Sequence, residues 1–270
     1  MIHLVFQQIK GKLIVSCQAL DDEPLHGSDM MARMAYAAAC GGAAGIRANT
    51  PADIRAIQAV ASLPIIGIYK SVYPDSEVFI TPTMREVDAL VEVAPDIIAL
   101  DATQRLRPGG LSLETLVAAI HQRYPRQLLM ADCATIEDAQ RAAALGFDCV
   151  GTTLVGYTRE TRDHICPDLS MIRRLSEELS IPVIAEGGIW SPEQLRSVFD
   201  HGAFAAVVGS AITRPMAITR RFVQAITSKE QDVPDPKVQP QANVINLGFI
   251  HLVVHKALIQ GDQLLRMDLG

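Results

Sequence analysis

Residues 181–190, IPVIAEGGIW, carry the clearest signal for the fold of this chain. A short apolar run at 181–185 ends abruptly at Glu186, Gly187 and Gly188. After a polar stretch of helix length, a second apolar run at 205–208 ends at Gly209 and Ser210. Short apolar runs that are bounded by glycine and separated by a helix are typical of parallel strands buried on both faces. The stretch therefore predicts two neighbouring strands of a parallel sheet.

The same alternation of strand-like and helix-like segments extends outward over most of the chain. Strands are predicted at 12–18, 44–48, 64–70, 96–101, 128–132, 149–154, 181–185 and 205–208. Helices follow at 29–40, 51–61, 81–93, 112–124, 135–145, 168–179, 191–201 and 215–227. Strands that alternate with helices indicate a parallel sheet, and eight such pairs indicate a closed one. We therefore predict an α/β fold, a single-domain (β/α)8 TIM barrel over residues 1–228, a size that such barrels commonly have.

The C-terminal tail departs from this pattern. Residues 228–241, SKEQDVPDPKVQPQ, carry three prolines and several charges, which is typical of a linker. Residues 243–269 are apolar again, so we expect residues 229–270 to be a linker followed by an apolar extension of unknown role. An apolar segment of this kind tends to pack against its own chain or a partner, so the tail is compatible with a homodimer.

Composition and charge exclude several classes of protein. The chain has 270 residues, a net charge of −6 and no basic stripe, so we expect no nucleic-acid partner. No apolar run approaches the ~18 residues of a membrane span, and the N-terminus lacks the features of a signal peptide. The five cysteines show no C-x-x-C spacing and no histidine at ligand spacing. We expect a cytoplasmic protein with reduced thiols, without a metal site and without a membrane partner.

Each predicted strand carries a polar group or a glycine-serine pair at its carboxyl end or directly after it. Because parallel strands of a barrel end at the same rim, these groups are expected to converge on one mouth. In chain order they are Gln18, Arg47, Lys70, Asp101, Asp132, the pair Thr152 and Thr153, Glu186, and the pair Gly209 and Ser210.

Lys70 and Glu186 are the candidate catalytic residues. Each follows an apolar run, and burial lowers the pKa of a lysine and raises that of a glutamate. Such a pair could transfer protons across one pocket. Either group could instead serve the structure, Lys70 by reaching solvent and Glu186 by pairing with Lys70 or Arg47.

The two glycine sites at the ends of strands seven and eight predict a phosphate site. In (β/α)8 barrels the loops after these strands commonly bind phosphate. Gly187, Gly188, Gly209 and Ser210 are the expected cradle, although glycines also serve ordinary tight turns. Arg47 and Arg214 are the cations available for a phosphate, and either could form a structural salt bridge instead. Asp132 could orient Lys70 or bind a substrate hydroxyl.

Seven segments, in order, carry a resemblance to a known family. LIVSCQ, GIRAN, PIIGIYK, ADC, GTTLVGYT, PVIAEGGI and VGSAITRP, which lie between residues 12 and 227, resemble the N-acetylmannosamine-6-phosphate 2-epimerases of bacterial sialic acid catabolism. The resemblance implies an isomerase that converts N-acetylmannosamine 6-phosphate to N-acetylglucosamine 6-phosphate by inverting C2. It implies a sugar-phosphate substrate and no metal or organic cofactor.

The resemblance also implies roles for single residues. The lysine of PIIGIYK, Lys70, and the glutamate of IAEGG, Glu186, would transfer the proton. Tyr157, in GYT, would flank the sugar. Substrate contacts would come from the glutamine of SCQ, the arginine of GIR, the aspartate of ADC and the arginine of SAITRP, which are Gln18, Arg47, Asp132 and Arg214, and phosphate contacts from Gly187, Gly188, Gly209 and Ser210.

Two other functions remain open from the residues alone. Lys70 could form an imine in a Schiff-base lyase or synthase built on a phosphate-binding barrel. A non-catalytic sugar-phosphate sensor could use the same cradle without turnover, although it would not need a lysine and a glutamate in one pocket.

Overall fold

Eight parallel strands close into one barrel in chain order, β1-β2-β3-β4-β5-β6-β7-β8, in the computed structural model of the chain, which describes residues 3–227. The predicted (β/α)8 TIM barrel is thus confirmed. The predicted linker at 228–241 and the apolar extension that follows it lie outside the described residues.

The strands are short and almost wholly buried. Their bounds are β1 Leu13–Cys17, β2 Gly45–Asn49, β3 Ile65–Ile68, β4 Ile97–Asp101, β5 Leu128–Asp132, β6 Cys149–Gly151, β7 Val183–Glu186 and β8 Ala205–Val208. The helices are α1 Leu4–Ile9, α2 Ser28–Cys40, α3 Pro51–Gln58, α4 Met84–Val91, α5 Leu113–Arg123, α6 Ile136–Ala144, α7 Leu169–Glu178, α8 Pro192–Asp200, α9 Ser210–Thr213 and α10 Pro215–Thr227. Strands β3 and β6 end earlier than predicted, so Lys70, Thr152 and Thr153 lie in the loops that follow them.

Side-chain caps determine where several helices begin. Thr83, Thr135 and Ser191 each accept a hydrogen bond from a backbone N–H of the first turn, and each is part of a capping box. The helix predicted from residue 81 begins instead at Met84. Thr81 cannot start it, because its φ is +47° and its hydroxyl is used elsewhere, accepting from the Tyr69 N–H at 3.1 Å and donating to the Ala99 carbonyl at 2.7 Å.

Helix α1 was not predicted, and it covers the amino-terminal end of the barrel. Its residues Val5, Phe6 and Ile9 are buried in one cluster with inward-facing residues near the starts of the strands, among them Ile14 and Ile66. This packing closes the barrel at the amino-terminal ends of the strands, so the carboxyl ends of the strands form its open mouth.

A second cluster of buried residues fills the space between the strands and the surrounding helices. It includes residues of β1 to β7 and of α2 to α7, and a third cluster joins β7 and β8 to α7 and α8. All five cysteines are unpaired, and Cys40 alone among them is exposed. Within residues 3–227, no helix combines the length and the apolar character that crossing a bilayer requires.

Candidate active site

Three charged side chains from three separate strands meet at the barrel mouth. Arg47, from β2, donates from Nη1 to Asp132 Oδ1 at 3.1 Å and from Nη2 to Asp132 Oδ2 at 2.6 Å. The same Nη1 lies 3.1 Å from Glu186 Oε2 at the end of β7. The Arg47 and Asp132 side chains are 1% and 0% exposed, and that of Glu186 is 14% exposed. Burial alone would lower the pKa of Arg47, but the charges of Asp132 and Glu186 raise it above its usual value.

The two threonines after β6 hold Glu186 in place. Thr152 Oγ1 donates to the Glu186 carbonyl at 2.9 Å and accepts from the Glu186 N–H at 3.0 Å. Thr153 Oγ1 donates to Asp132 Oδ1 at 2.6 Å and lies 3.3 Å from Glu186 Oε2. The backbone and the carboxyl of Glu186 are therefore both fixed by the start of the loop that follows the neighbouring strand β6.

Lys70 brings an amine to the same mouth. Its backbone N–H donates to Asn49 Oδ1 at 2.9 Å, which fixes the chain just beyond β3. The residue is half-buried, and burial lowers the pKa of its ammonium to about 8. Repulsion by Arg47 adds to this decrease, whereas Glu186 and Asp132 oppose it. Within residues 3–227, the Lys70 Nζ forms no hydrogen bond or ion pair, so the amine is available to a ligand.

The carboxyl of Glu186 has a pKa shifted in the opposite direction. Burial raises its pKa to about 7, and the nearby charge of Asp132 adds to the increase, whereas Arg47, Thr153 and Lys70 oppose it. An amine with a pKa near 8 and a carboxyl with a pKa near 7 therefore act on each other in one pocket, and both can exchange protons near neutral pH.

The turn after β7 has the backbone geometry of a phosphate cradle. Gly187 and Gly188 adopt φ values of +103° and +70°, a region of backbone conformation that residues with a Cβ atom disfavour. Gly188 also passes so close to Cys166 that an added Cβ would lie 2.4 Å from the Cys166 carbonyl carbon. Neither glycine donates its N–H to an acceptor within the described part of the chain. Gly209 directly follows the adjacent strand β8, and Ser210 begins the short helix α9.

Arg214 lies just beyond this cradle and is held by Glu23 of the β1–α2 loop. Its Nε donates to Glu23 Oε2 at 3.1 Å, and its Nη2 donates to Glu23 Oε1. The two side chains are 21% and 8% exposed, and burial lowers the pKa of Arg214. This two-pronged pair leaves Nη1 of Arg214 without a protein partner within residues 3–227.

The remaining predicted residues surround this centre. The Gln18 amide donates to Ser16 Oγ at 2.8 Å, and its Oε1 is buried without a partner among the described residues. Tyr157 is 41% exposed at the rim, and partial desolvation raises the pKa of its hydroxyl to about 12, with further contributions from Cys166 and Glu186. Asp101 is fully buried and serves its own loop, accepting from Thr103 and Arg105.

Three residues of this arrangement receive no role from the sequence. Thr152 and Thr153 are counted only among the polar strand ends, and Glu23 is not singled out. For Thr153 a signal existed, because its place at a strand end puts it at the mouth. For Glu23 we find none, since it lies in a loop of mixed polar residues. No cluster of His, Cys, Asp and Glu within residues 3–227 could hold a metal ion.

Sequence comparison finds similar proteins of one family. Residues 31–228 match the family model described as "Putative N-acetylmannosamine-6-phosphate epimerase". A relative from Enterobacter sp. (strain 638), named "Putative N-acetylmannosamine-6-phosphate 2-epimerase", is 56% identical over 230 residues, covering 84% of this chain and 98% of the relative. A relative of the same name from Listeria monocytogenes serovar 1/2a is 50% identical over 230 residues, with 84% and 97% covered.

Solved structures give the same result. The N-acetylmannosamine-6-phosphate 2-epimerase from Clostridium perfringens superimposes with a TM-score of 0.79 at 52% identity, covering 83% of this chain and 96% of that one. A thiamine phosphate pyrophosphorylase from Pyrococcus furiosus, at 19% identity and a TM-score of 0.51, shares the fold alone. The chain therefore belongs to the N-acetylmannosamine-6-phosphate 2-epimerase family.

Proposed function

We propose that Lys70 and Glu186 exchange the C2 proton in the epimerisation of N-acetylmannosamine 6-phosphate to N-acetylglucosamine 6-phosphate, the reaction of the family to which the chain belongs. The observation that carries the assignment is the unpaired Lys70 amine, whose pKa is about 8, in one pocket with Glu186, whose pKa is about 7.

The chemistry requires such a pair. The hydrogen on C2 is acidic only when C1 is an aldehyde, so the sugar ring must open first. A base then removes the C2 proton, and the resulting enolate carries negative charge on the C1 oxygen, which nearby cations stabilise. Return of a proton to the opposite face of C2 gives the epimer. One group that accepts a proton and one that donates a proton are sufficient for this step.

In this proposal Lys70 handles the C2 proton, and Glu186 assists ring opening or acts on the other face. Lys70 is suited to its role because its amine has no competing protein partner in the described structure. Glu186 is suited because Arg47, Thr152 and Thr153 fix its position. A hydroxyl or the N-acetyl group of the substrate could relay the proton between them.

The remaining residues would hold the substrate. The free N–H groups of Gly187 and Gly188, together with Gly209 and Ser210, would bind the phosphate, with Arg214 beside them. The unpartnered Oε1 of Gln18 would accept from a sugar hydroxyl. Tyr157 would flank the sugar at the rim.

Because Asp132 is fully buried and bound by Arg47, we assign both residues to the pocket wall behind Glu186, where Arg47 also supplies positive charge. Binding energy from the remote phosphate would position C2 between Lys70 and Glu186.

Membership in the family favours epimerisation over the two alternatives. A Schiff-base enzyme would also need an unpaired lysine amine, so borohydride trapping of substrate on Lys70 would support that reading. A sensor would bind the sugar phosphate and leave C2 unchanged. One experiment separates all three.

The experiment follows the C2 proton in deuterated water by proton NMR. Wild-type protein with N-acetylmannosamine 6-phosphate should lose the C2–H signal and yield the epimer. Lys70→Met should abolish both while the urea unfolding curve stays cooperative, and Lys12→Met, at an exposed lysine outside the mouth, should behave like wild type. Full activity in Lys70→Met would remove Lys70 from the mechanism.

A cytoplasmic location and a homodimer are further parts of the proposal. The case for a dimer rests on the apolar composition of residues 243–269 and on helix α10, where Phe222 and Ile226 are 71% and 84% exposed. Light scattering of the full chain would test it. A mass of one chain at micromolar concentration would contradict it.

A further inference from the structure

We propose that Thr153 is a positioning residue whose single hydroxyl proton is shared between the Asp132 and Glu186 carboxylates and thereby stabilises the ionised form of Glu186. The inference rests on the proposed role of Glu186 in proton transfer, and it adds a residue to which neither the sequence nor the comparisons assign a role.

The geometry around Thr153 supports this. Its Oγ1 lies 2.6 Å from Asp132 Oδ1 and 3.3 Å from Glu186 Oε2, so one hydroxyl bridges two carboxylates. Two buried carboxylates this close repel each other when both are ionised. Arg47 supplies one positive charge to both, and the Thr153 hydroxyl supplies the additional hydrogen-bond donor.

A hydroxyl has one proton, which limits how it can serve both acceptors. Asp132 already receives two hydrogen bonds from Arg47, whereas Glu186 Oε2 receives one ion-pair contact from the same guanidinium. When Glu186 loses its own proton, its need for a donor increases, and sharing of the Thr153 proton lowers the energy of the new charge. Removing the hydroxyl should therefore raise the pKa of Glu186.

Several other groups face Glu186 and must remain in place for this effect to be measured. Burial is the largest influence on Glu186 and raises its pKa. The facing groups are Arg47 from β2, Lys70 after β3, Asp132 from β5 and Tyr157 in the loop after β6. A change at Thr153 alters none of their charges, so a shift in the titration of Glu186 would report the hydroxyl.

The test compares Thr153→Val, which keeps the shape and removes the hydroxyl, with Thr153→Ser, which keeps the hydroxyl. The Glu186 carboxyl is titrated by 13C NMR in substrate-free protein labelled at glutamate, and its signal is assigned by its loss in Glu186→Gln. We expect the midpoint in Thr153→Val to rise by about half to one pH unit, less than the loss of a full hydrogen bond to a charged group would give, because the contact to Glu186 is long at 3.3 Å and its proton is shared. Thr153→Ser should return it to the wild-type value.

Kinetics provide a second measurement. The acidic limb of kcat/KM against pH should move upward in Thr153→Val by the same amount, and Thr153→Ser should restore it. Thr161→Val is the matched control, because Thr161 is a buried threonine of the same loop whose hydroxyl bonds Gly156 and Thr158 and not the carboxylates. It should leave the titration of Glu186 unchanged.

The outcomes are separable. An unchanged or lower Glu186 midpoint in Thr153→Val, with a cooperative unfolding curve, would overturn the role of Thr153. If Thr153→Val fails to fold, Thr153→Ser and Thr153→Ala are compared instead. A wild-type Glu186 midpoint in Thr153→Ser and a raised one in Thr153→Ala would support the role. Equal Glu186 midpoints in these two variants would overturn it. Because the NMR titration requires no turnover, an absence of C2 exchange in wild type would refute the proposed function and would leave this result intact.

Discussion

Arg47 and Asp132 form a two-pronged ion pair across the barrel mouth, with both side chains essentially inaccessible to solvent. They lie on β2 and β5, three strands apart in the barrel. A buried pair of this kind is costly to desolvate, and removing one partner leaves the other as an uncompensated charge. The pair therefore makes the stability of the fold depend on the residues that form the site.

Replacing Arg47 by methionine should lower the free energy of unfolding by about 3–5 kcal/mol at neutral pH, because Asp132 would remain buried and unpaired. Urea unfolding measures the change. Arg33→Met is the control: Arg33 and Asp29 form an exposed pair, 74% and 75% exposed, and such pairs contribute about 0–1 kcal/mol. Equal losses in the two variants would show that the buried pair adds nothing specific.

The pH dependence of turnover should be bell-shaped and narrow. The pKa values of Glu186 and Lys70 are about 7 and about 8, and one proton shared between the two groups makes the productive form. The rate constant kcat/KM should therefore rise with pH through about 7 and fall through about 8. The same profile results whichever of the two groups carries the proton in the reaction, since both arrangements contain the same number of protons. A flat profile of kcat/KM between pH 6 and 9, corrected for substrate ionisation, would contradict the assignment.

Glu186 should also make the fold less stable as pH rises. Its pKa is about 7 in the folded chain against 4.5 in an unfolded chain, so between these values the folded state binds more protons. Stability then falls with rising pH over that window. Glu186→Gln removes this dependence, so its stability relative to wild type should increase from pH 5 to pH 7.5 in urea unfolding. Glu77 is exposed, so the free energy of unfolding of Glu77→Gln should change with pH as that of wild type does. The same pH dependence in Glu186→Gln would show that burial does not destabilise the ionised carboxylate of Glu186.

Much of the fold could be predicted because each strand is a short apolar run, a signal contained within a few neighbouring residues. The buried runs at Ile65–Ile68 and Ala205–Val208 needed no knowledge of distant residues. Helix α1 escaped prediction because its role, covering the base of the barrel, depends on contacts with strands that come later in the chain.

The site could be predicted only in outline for the same reason. Strand ends locate Lys70, Asp132 and Glu186 at one mouth, but which side chains pair is a matter of distances between separate strands. The bond from Thr153 to Asp132 spans 21 residues, and that from Arg214 to Glu23 spans 191. For Arg47 the sequence left open a phosphate contact or a salt bridge, and in the structure its guanidinium contacts the carboxylates of Asp132 and Glu186, which come from separate strands.

Glu23 should control how well Arg214 binds substrate. The carboxylate holds Nε and Nη2 of Arg214, which orients the guanidinium and leaves Nη1 free for the ligand in the described structure. Glu23→Gln can accept one of these bonds at most, so we expect KM for the phosphosugar to rise several-fold with little change in kcat. Steady-state kinetics measure both. The exposed Glu193→Gln is the control, and a fall in kcat at constant KM would argue for a different role of Glu23.

The phosphate cradle requires glycine at position 188. Gly188 and Gly109 have nearly the same backbone, with φ of +70° and +69°, so a Cβ at either position carries the same intrinsic strain of about 1–2 kcal/mol. At Gly109 the added Cβ would meet nothing within 4 Å, whereas at Gly188 it would lie 2.4 Å from the backbone of Cys166. Gly188→Ala should therefore destabilise the fold more than Gly109→Ala in urea unfolding.

Gly188→Ala should also raise KM for the phosphorylated sugar, because the turn must move away from Cys166 and carry its N–H groups with it. Isothermal titration with inorganic phosphate would separate the two effects: retained phosphate affinity in Gly188→Ala would mean that phosphate binds elsewhere on the rim.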